Sequence, residues 1–331
     1  MATPVKISAL GTYVPPRLLT NADLEKLVDT NDEWIRTRTG IHQRHIVDAG
    51  VATSDLAVEA AKNCLAERGL APDDIPLLIV ATVTPDMLFP STACLVQHKL
   101  GAGRCWGFDL SAACSGFLYA LTVGAQMVAA GSVPRALVIG ADTMSSIIDY
   151  QDRATCVLFG DGAGAVLLEP TGPGEPAGII DFLHQIEGEG AGFLNMPAGG
   201  SRLPASSETV LRRQHYVHQQ GQQVFKYAVR KMYDLGSELM ARNQIEPRQL
   251  DCFLSHQANR RIIEATTERM GVPPERVIIN IGEYGNTTAA TIPLAMAEAR
   301  QKGILKNGSL ALLAAVGAGY TAGALLLRWS L

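Results

Sequence analysis

Cys114, His256 and Asn286 are the residues of this chain whose types and settings could carry covalent chemistry. Cys114 sits in Asp109-Leu-Ser-Ala-Ala-Cys-Ser-Gly-Phe, where a buried strand gives way to a long helix. Unpaired N–H groups and the dipole at a helix start stabilise a thiolate, so this setting predicts a lowered thiol pKa and a nucleophile near neutral pH. The small neighbours Ala112, Ala113, Ser115 and Gly116 leave room for a substrate. His256 follows a strand in Phe253-Leu-Ser-His-Gln-Ala-Asn, and Asn286 follows another in Glu283-Tyr-Gly-Asn-Thr-Thr-Ala. All three lie beyond carboxyl ends of strands, where open α/β sheets place ligands. The other cysteines (64, 94, 105, 156 and 252) and histidines (42, 45, 98, 184, 215 and 218) have no comparable setting and read as structural or surface residues.

Other readings of these residues are weaker. Cys, His, Asn is also the chain order of papain-like proteases, but those carry Cys-Gly-Ser/Ala-Cys-Trp/Tyr near the mature N-terminus. Here the nucleophile lies deep in the chain within Ala113-Cys-Ser-Gly. Gly160-Asp-Gly-Ala-Gly-Ala fails as a dinucleotide fingerprint because Val166-Leu-Leu-Glu after it reads as a strand, not a helix. It is expected to be a structural turn. The turn at 317 to 319 is a different matter, since its backbone N–H groups could meet an oxyanion beside Cys114.

The elements that must position these residues come in two arrays of the same order. Strand, helix, strand, helix, strand, glycine turn, strand is read from Pro76 to Glu169 and again from Asp251 to Arg328. The first array includes strands at Ala136-Leu-Val-Ile-Gly and Cys156-Val-Leu-Phe, the second a strand at Val277-Ile-Ile-Asn-Ile. Fully apolar strands alternating with helices predict parallel sheets covered on both faces, and the matched order predicts an internal duplication. The halves are expected over residues 1–172 and 173–331, divided in the Pro/Gly-rich stretch Glu169 to Gly178. Gly188 to Arg213, rich in Gly, Ser and Pro, predicts a functional cover or binding surface.

Composition agrees with a compact enzyme. With 47% hydrophobic and 18% charged residues the chain is not disordered, and a net charge of -4 gives no basic field for a nucleic acid. Six irregularly spaced cysteines predict reduced thiols in a cytoplasm, not a disulfide framework or a zinc site. The N-terminus shows no secretory pattern. Ser309 to Leu327 is uncharged and of membrane-spanning length, but its central Val316-Gly-Ala-Gly-Tyr predicts a turn between two buried strands.

Taken together, Asn31-Asp-Glu-Trp-Ile-Arg-Thr-Arg-Thr-Gly-Ile, Phe89-Pro-Ser-Thr-Ala-Cys, Ala112-Ala-Cys-Ser-Gly-Phe, Phe159-Gly-Asp-Gly-Ala-Gly-Ala, His256-Gln-Ala-Asn and Tyr284-Gly-Asn-Thr-Thr-Ala-Ala resemble the β-ketoacyl-acyl-carrier-protein synthase III family. The resemblance runs over essentially the whole chain. It implies the α/β thiolase-like fold, with duplicated βαβαβ halves in five αβαβα layers, and a cytoplasmic homodimer that inserts no segment into a membrane. It implies that Cys114 attacks a short acyl-CoA, with the backbone N–H groups of Cys114 and Ala318 as oxyanion hole. His256 and Asn286 would then hold the enolate formed when malonyl-acyl carrier protein loses carbon dioxide. Acyl-CoA is a substrate in this scheme, and neither cofactor nor metal is implied.

For CoA, Trp34 and Arg153 look like the family's adenine sandwich. Thr30 and Arg38 would meet the nucleotide, and Gly221, Phe225 and Asn259 would line the pantetheine channel. Gln257, Ala258, Asn259, Arg260 and Arg261 would contact the carrier protein, within a basic rim that also draws on Arg212, Arg213, Lys226, Arg230 and Lys231. Phe89 resembles the residue a partner subunit inserts to close the acyl pocket. Val316 stands where the family often has Phe, and Ala322 where it often has Trp, so the length of the primer stays open. The competing reading is a related starter-unit synthase or acyltransferase of secondary, polyketide metabolism.

Overall fold

The apolar strand patterns assemble as two sheets with one shared plan. The computed structural model describes residues 3–172, 174–175 and 178–331. The expected division between 172 and 173 abuts residues outside that set. The first sheet holds β1 (Val5–Tyr13), β2 (Leu77–Ala81), β3 (Trp106–Leu110), β4 (Ala136–Asp142) and β5 (Gly162–Pro170), in the order β1-β5-β4-β2-β3. The second holds β6 (Ile179–Ile186), β7 (Cys252–Ser255), β8 (Leu310–Gly317) and β9 (Thr321–Arg328), in the order β6-β9-β8-β7. In each sheet the first three strands of that order are antiparallel neighbours and the next is parallel. The second half thus repeats four of the five strand positions of the first.

Two strands expected from the sequence are absent. Val277 makes a single parallel bridge to Phe253 in the place that β3 occupies in the first sheet. The Gln257 side chain stands in for the ladder there: its Nε2 donates to the Ile278 carbonyl at 3.0 Å and its Oε1 accepts from the Asn280 N–H at 3.0 Å. Cys156 to Phe159 is not a strand either, because Asp152 caps a short helix at Arg153–Cys156 by accepting from the Ala154 N–H.

Among the described residues, seven helices have eight residues or more: α1 (Asp32–Thr39), α2 (Thr53–Arg68), α3 (Thr92–Leu100), α4 (Gly116–Ala129), α5 (Gly221–Arg242), α6 (Arg260–Met270) and α7 (Thr291–Gln301). α2 and α3 pack on the outer face of the first sheet, and α5 and α6 form the opposite outer layer. α4 touches both sheets and lies with α7 between them, in a core that runs from Val5 through Phe117 to Trp329. That position explains why α4 is apolar almost all round, as a helix buried on every side must be. The result is the expected five-layered thiolase-like arrangement. Ser309 to Leu327 is the β8-turn-β9 hairpin, and among the described residues no helix is long and apolar enough to cross a membrane.

Candidate active site

Residues that follow β3, β7 and the apolar run Val277 to Ile281 meet in one cavity of about 670 Å³. Cys114, His256 and Asn286 all line it, each under a tenth exposed. Cys114 lies in the tight turn Ala113–Ser115 that leads into α4. The β8-β9 turn packs directly on that backbone: a β-carbon on Gly317 would lie 2.7 Å from the Cys114 nitrogen and 3.0 Å from the Ala112 oxygen. Thr321 Oγ1 donates to the Ala112 carbonyl at 2.7 Å, fixing the turn from its other end. Only glycine fits at 317, and Ala318, which follows it, is not among the residues that line the cavity.

Burial pushes the Cys114 thiol up to about 12, the Asp142 charge adds to this, and its own backbone N–H pulls the other way. The lowered pKa expected from the helix start is therefore not what the site holds. Desolvation of the buried sulfur favours the neutral thiol. Burial likewise draws His256 down to about 3, so its imidazole is neutral. His256 Nδ1 lies 2.8 Å from Thr291 Oγ1, leaving Nε2 for the cavity. Asn286 is held by its backbone, whose N–H donates to the Leu158 carbonyl and whose carbonyl accepts from Gly160 N–H. Its Oδ1 accepts from the Thr288 N–H at 2.9 Å, which assigns the amide orientation and turns the Nδ2 donor away from that contact.

Beneath this wall is a group that sequence reasoning missed. Asp142, fully buried at the end of β4, accepts from Thr82 and Thr84 hydroxyls and from Val83 N–H on one oxygen. Its other oxygen accepts from the Thr288 hydroxyl and Ala289 N–H. The carboxylate thus ties the first half to the turn that carries Asn286. Nothing short of the fold brings positions so far apart in sequence together, so no local signal marks them.

Toward the mouth, Trp34, Arg38, Gly221, Phe225, Ala258, Asn259, Arg261 and Val316 line the same cavity. Arg153 lies over the Trp34 ring, its guanidinium carbon 4.2 Å from the centroid. Asn259 caps α6, accepting from Arg261 N–H and donating to the Arg38 carbonyl, so its amide is already engaged. Thr30 is not in the lining, and its hydroxyl is buried without a partner. Leu194, within the Gly188 to Arg213 stretch, lines the cavity, as does its antiparallel partner Gln219 beyond that stretch. Phe89, 85% exposed, does not enter it from its own chain.

The basic rim is narrower than expected. Gln257 is 1% exposed and stitched to backbone, so it presents no side chain to a protein partner. Arg212 pairs with Glu208, Arg213 with Asp149, Arg260 with Glu264, and Lys231 and Arg230 with Glu187. Among the described residues, Arg38, Lys226 and Arg261 are the cavity-lining cations that make no ion pair.

Duplicated halves in five layers, with a cysteine on one half facing a histidine and an asparagine on the other, define a condensing enzyme of the thiolase-like fold. Residues 108–188 match the family described as 3-oxoacyl-[acyl-carrier-protein (ACP)] synthase III, and residues 240–329 match its C-terminal part. A β-ketoacyl-[acyl-carrier-protein] synthase III of Koribacter versatilis is 62% identical over 325 residues, 98% of each chain. The crystal structure of 3-oxoacyl-[acyl-carrier-protein] synthase III from Aquifex aeolicus is 43% identical with a TM-score of 0.90, over 98% of this chain and 100% of that one. The priming β-ketosynthase of a polyketide biosynthetic pathway is also similar, 32% identical with a TM-score of 0.91 over 99% and 97% of the two chains. The chain belongs to the 3-oxoacyl-[acyl-carrier-protein] synthase III family.

Proposed function

We infer that the protein joins a short acyl-CoA primer to malonyl-acyl carrier protein, the condensation that initiates fatty acid synthesis, through an acyl group held on Cys114. The observation that carries this reading is the meeting of Cys114, His256 and Asn286 at the closed end of one cavity whose mouth is aromatic and basic. In the first half-reaction the Cys114 sulfur attacks the thioester carbonyl. The C–S bond to CoA breaks, and the thiol proton ends on the departing CoA sulfur. The backbone N–H groups of Cys114 and Ala318 hold the tetrahedral oxyanion.

In the second half-reaction malonyl-acyl carrier protein loses carbon dioxide, and the electron pair of the broken C–C bond becomes an enolate. His256 and Asn286 donate to its oxygen. Two neutral donors in a dry pocket suit a developing anion better than a charged imidazolium would suit the resting site. The enolate carbon attacks acyl-Cys114, the C–S bond breaks, and the sulfur recovers a proton. The sequence is redox-neutral and calls for no cofactor or metal.

Trp34, Arg153 and Arg38 then serve the CoA nucleotide, with Gly221, Phe225 and Asn259 along the pantetheine arm. Arg261, with Ala258 and Arg260 beside it, serves the acidic carrier protein and its phosphopantetheine phosphate. The working unit is a homodimer in the cytoplasm. β3 is an open sheet edge bearing a half-exposed Trp106, and Met87, Leu88 and Phe89 are exposed. Such a surface suits a second copy, and the partner subunit's Phe89 would then close the acyl pocket beside Val316.

The test is a panel of straight and branched acyl-CoA primers of increasing length, each assayed with malonyl-acyl carrier protein and with free malonyl-CoA. Short primers and a requirement for the carrier protein are expected. Turnover with free malonyl-CoA alone, or transfer without carbon dioxide release, would overturn the assignment in favour of a secondary-metabolic acyltransferase.

A further inference from the structure

One short stretch, Asn286 to Thr291, touches both groups that face the enolate. Thr288 N–H orients the Asn286 amide, and Thr291 Oγ1 is the hydrogen-bond partner of His256 Nδ1. Both Thr291 and His256 are almost fully buried, so water does not compete for that contact. The Thr291 hydroxyl has one proton and two acceptors in reach, His256 Nδ1 at 2.8 Å and the Thr288 carbonyl at 3.0 Å. The carbonyl is already served by the Thr291 backbone N–H, whereas among the described residues Nδ1 has no other partner.

The two choices have opposite consequences at the cavity. A neutral imidazole carries one ring proton. If Nδ1 accepts from the hydroxyl, that proton sits on Nε2, which then donates into the cavity beside the Asn286 amide. If Nδ1 donates instead, Nε2 is a bare acceptor and would repel an enolate oxygen. Resting on the reading of His256 as an enolate donor, we propose that Thr291 is a positioning residue that sets the Nε2–H tautomer of His256 by donating its hydroxyl proton to Nδ1. The carboxylate of Asp142 anchors the stretch from below through Thr288 and Ala289. One buried turn therefore sets the polarity of both donors, and Thr291 acts on the second half-reaction while standing outside the first.

The experiment combines nitrogen-15 spectra of histidine-labelled protein with separate assays of the half-reactions. The His256 signal is assigned by its loss in His256→Asn. In the wild type the ring proton is expected on Nε2. Thr291→Val, which keeps the shape and removes the hydroxyl, is expected to move it toward Nδ1 and to slow malonyl-acyl carrier protein decarboxylation about 100-fold. Acyl transfer from acyl-CoA to Cys114 should stay within about 3-fold of wild type, since that step does not use the donor. Thr291→Ser, which keeps the hydroxyl, should restore both rate and tautomer.

A wild-type proton on Nδ1, undiminished decarboxylation in folded Thr291→Val, or equal loss of both half-reactions would each overturn the proposal. The wild-type spectrum decides even if Thr291→Val does not fold. Failure of the underlying reading looks different: wild-type protein would then not decarboxylate malonyl-acyl carrier protein, or would do so equally well as His256→Ala.

Discussion

The two halves of the molecule reach the site through the same device and put it to different uses. Before α4 the chain takes a tight turn in which Ala113 has a φ of 47°, and before α7 an equivalent turn in which Thr288 has a φ of 49°. Each is a non-glycine residue in the left-handed region, a conformation that costs about 1–2 kcal/mol and persists only where the surroundings dictate it. In the first half the next residue is Cys114, the nucleophile. In the second it is Ala289, which merely donates its N–H to Asp142. The chemistry of the second half has moved three residues upstream of that position, to Asn286. A duplicated scaffold thus leaves the helix-entry geometry alone and changes which side chain stands on it.

Breaking the first half is expected to do most. Cys114→Ser should lower overall condensation by at least about 1,000-fold, and labelled acetyl-CoA should no longer leave a stable acyl group on the protein. A serine variant labelled as well as wild type would remove Cys114 from its role. Breaking the second half separates the two reactions. Asn286→Asp replaces a donor by a charge of the enolate's own sign, and decarboxylation should fall by about 100- to 1,000-fold while acyl transfer from CoA survives.

Cutting the tie between the halves should show as stability before activity. Asp142→Asn puts a donor against groups that already donate, a loss of about 3 kcal/mol by analogy with other broken buried charge networks. A denaturant midpoint unchanged from wild type would contradict it. At the mouth, Arg261→Glu should raise the KM for malonyl-acyl carrier protein about tenfold, with less effect on acyl-CoA. Equal effects on both substrates would argue against carrier docking there.

The smallest expected effect is in the pH profile. His256 and His184 are held neutral by burial, drawn down to about 3 and about 4. The unfolded chain binds protons at the ordinary histidine pKa of about 6.5 while the native one does not, so stability is intact above that pH and declines as pH falls toward 4. Decarboxylation should show no inflection near pH 6.5. An inflection there would mean that His256 titrates in the working enzyme.

Much of this site was legible in the chain because Cys114 follows an edge strand and His256 a buried one, and Asn286 follows an apolar run. Cys114, His256 and Asn286 could be found from apolar runs that end in small and polar residues, and the repeated order of elements foretold the two sheets, but not the antiparallel strands that make each sheet mixed instead of parallel. What escaped were properties set by contacts across the fold. The neutrality of Cys114 comes from desolvation, and no neighbour in sequence reports that. Gln257 looked like a surface contact beside Arg260 and Arg261, yet its amide replaces the backbone ladder that Val277 to Ile281 was expected to supply. Arg213 and Lys231 are neutralised by Asp149 and Glu187, partners far away in sequence.

The placement of α4 between the sheets has a consequence for how the molecule comes apart. A chain built of two repeats might be expected to melt in two steps, each repeat by itself. Here the helix that starts at the nucleophile packs against strands of both repeats, and α7 returns the contact from the other side. Either repeat produced alone would expose the apolar middle layer to water. Unfolding is therefore expected as one cooperative transition, with neither repeat able to serve as a free-standing module.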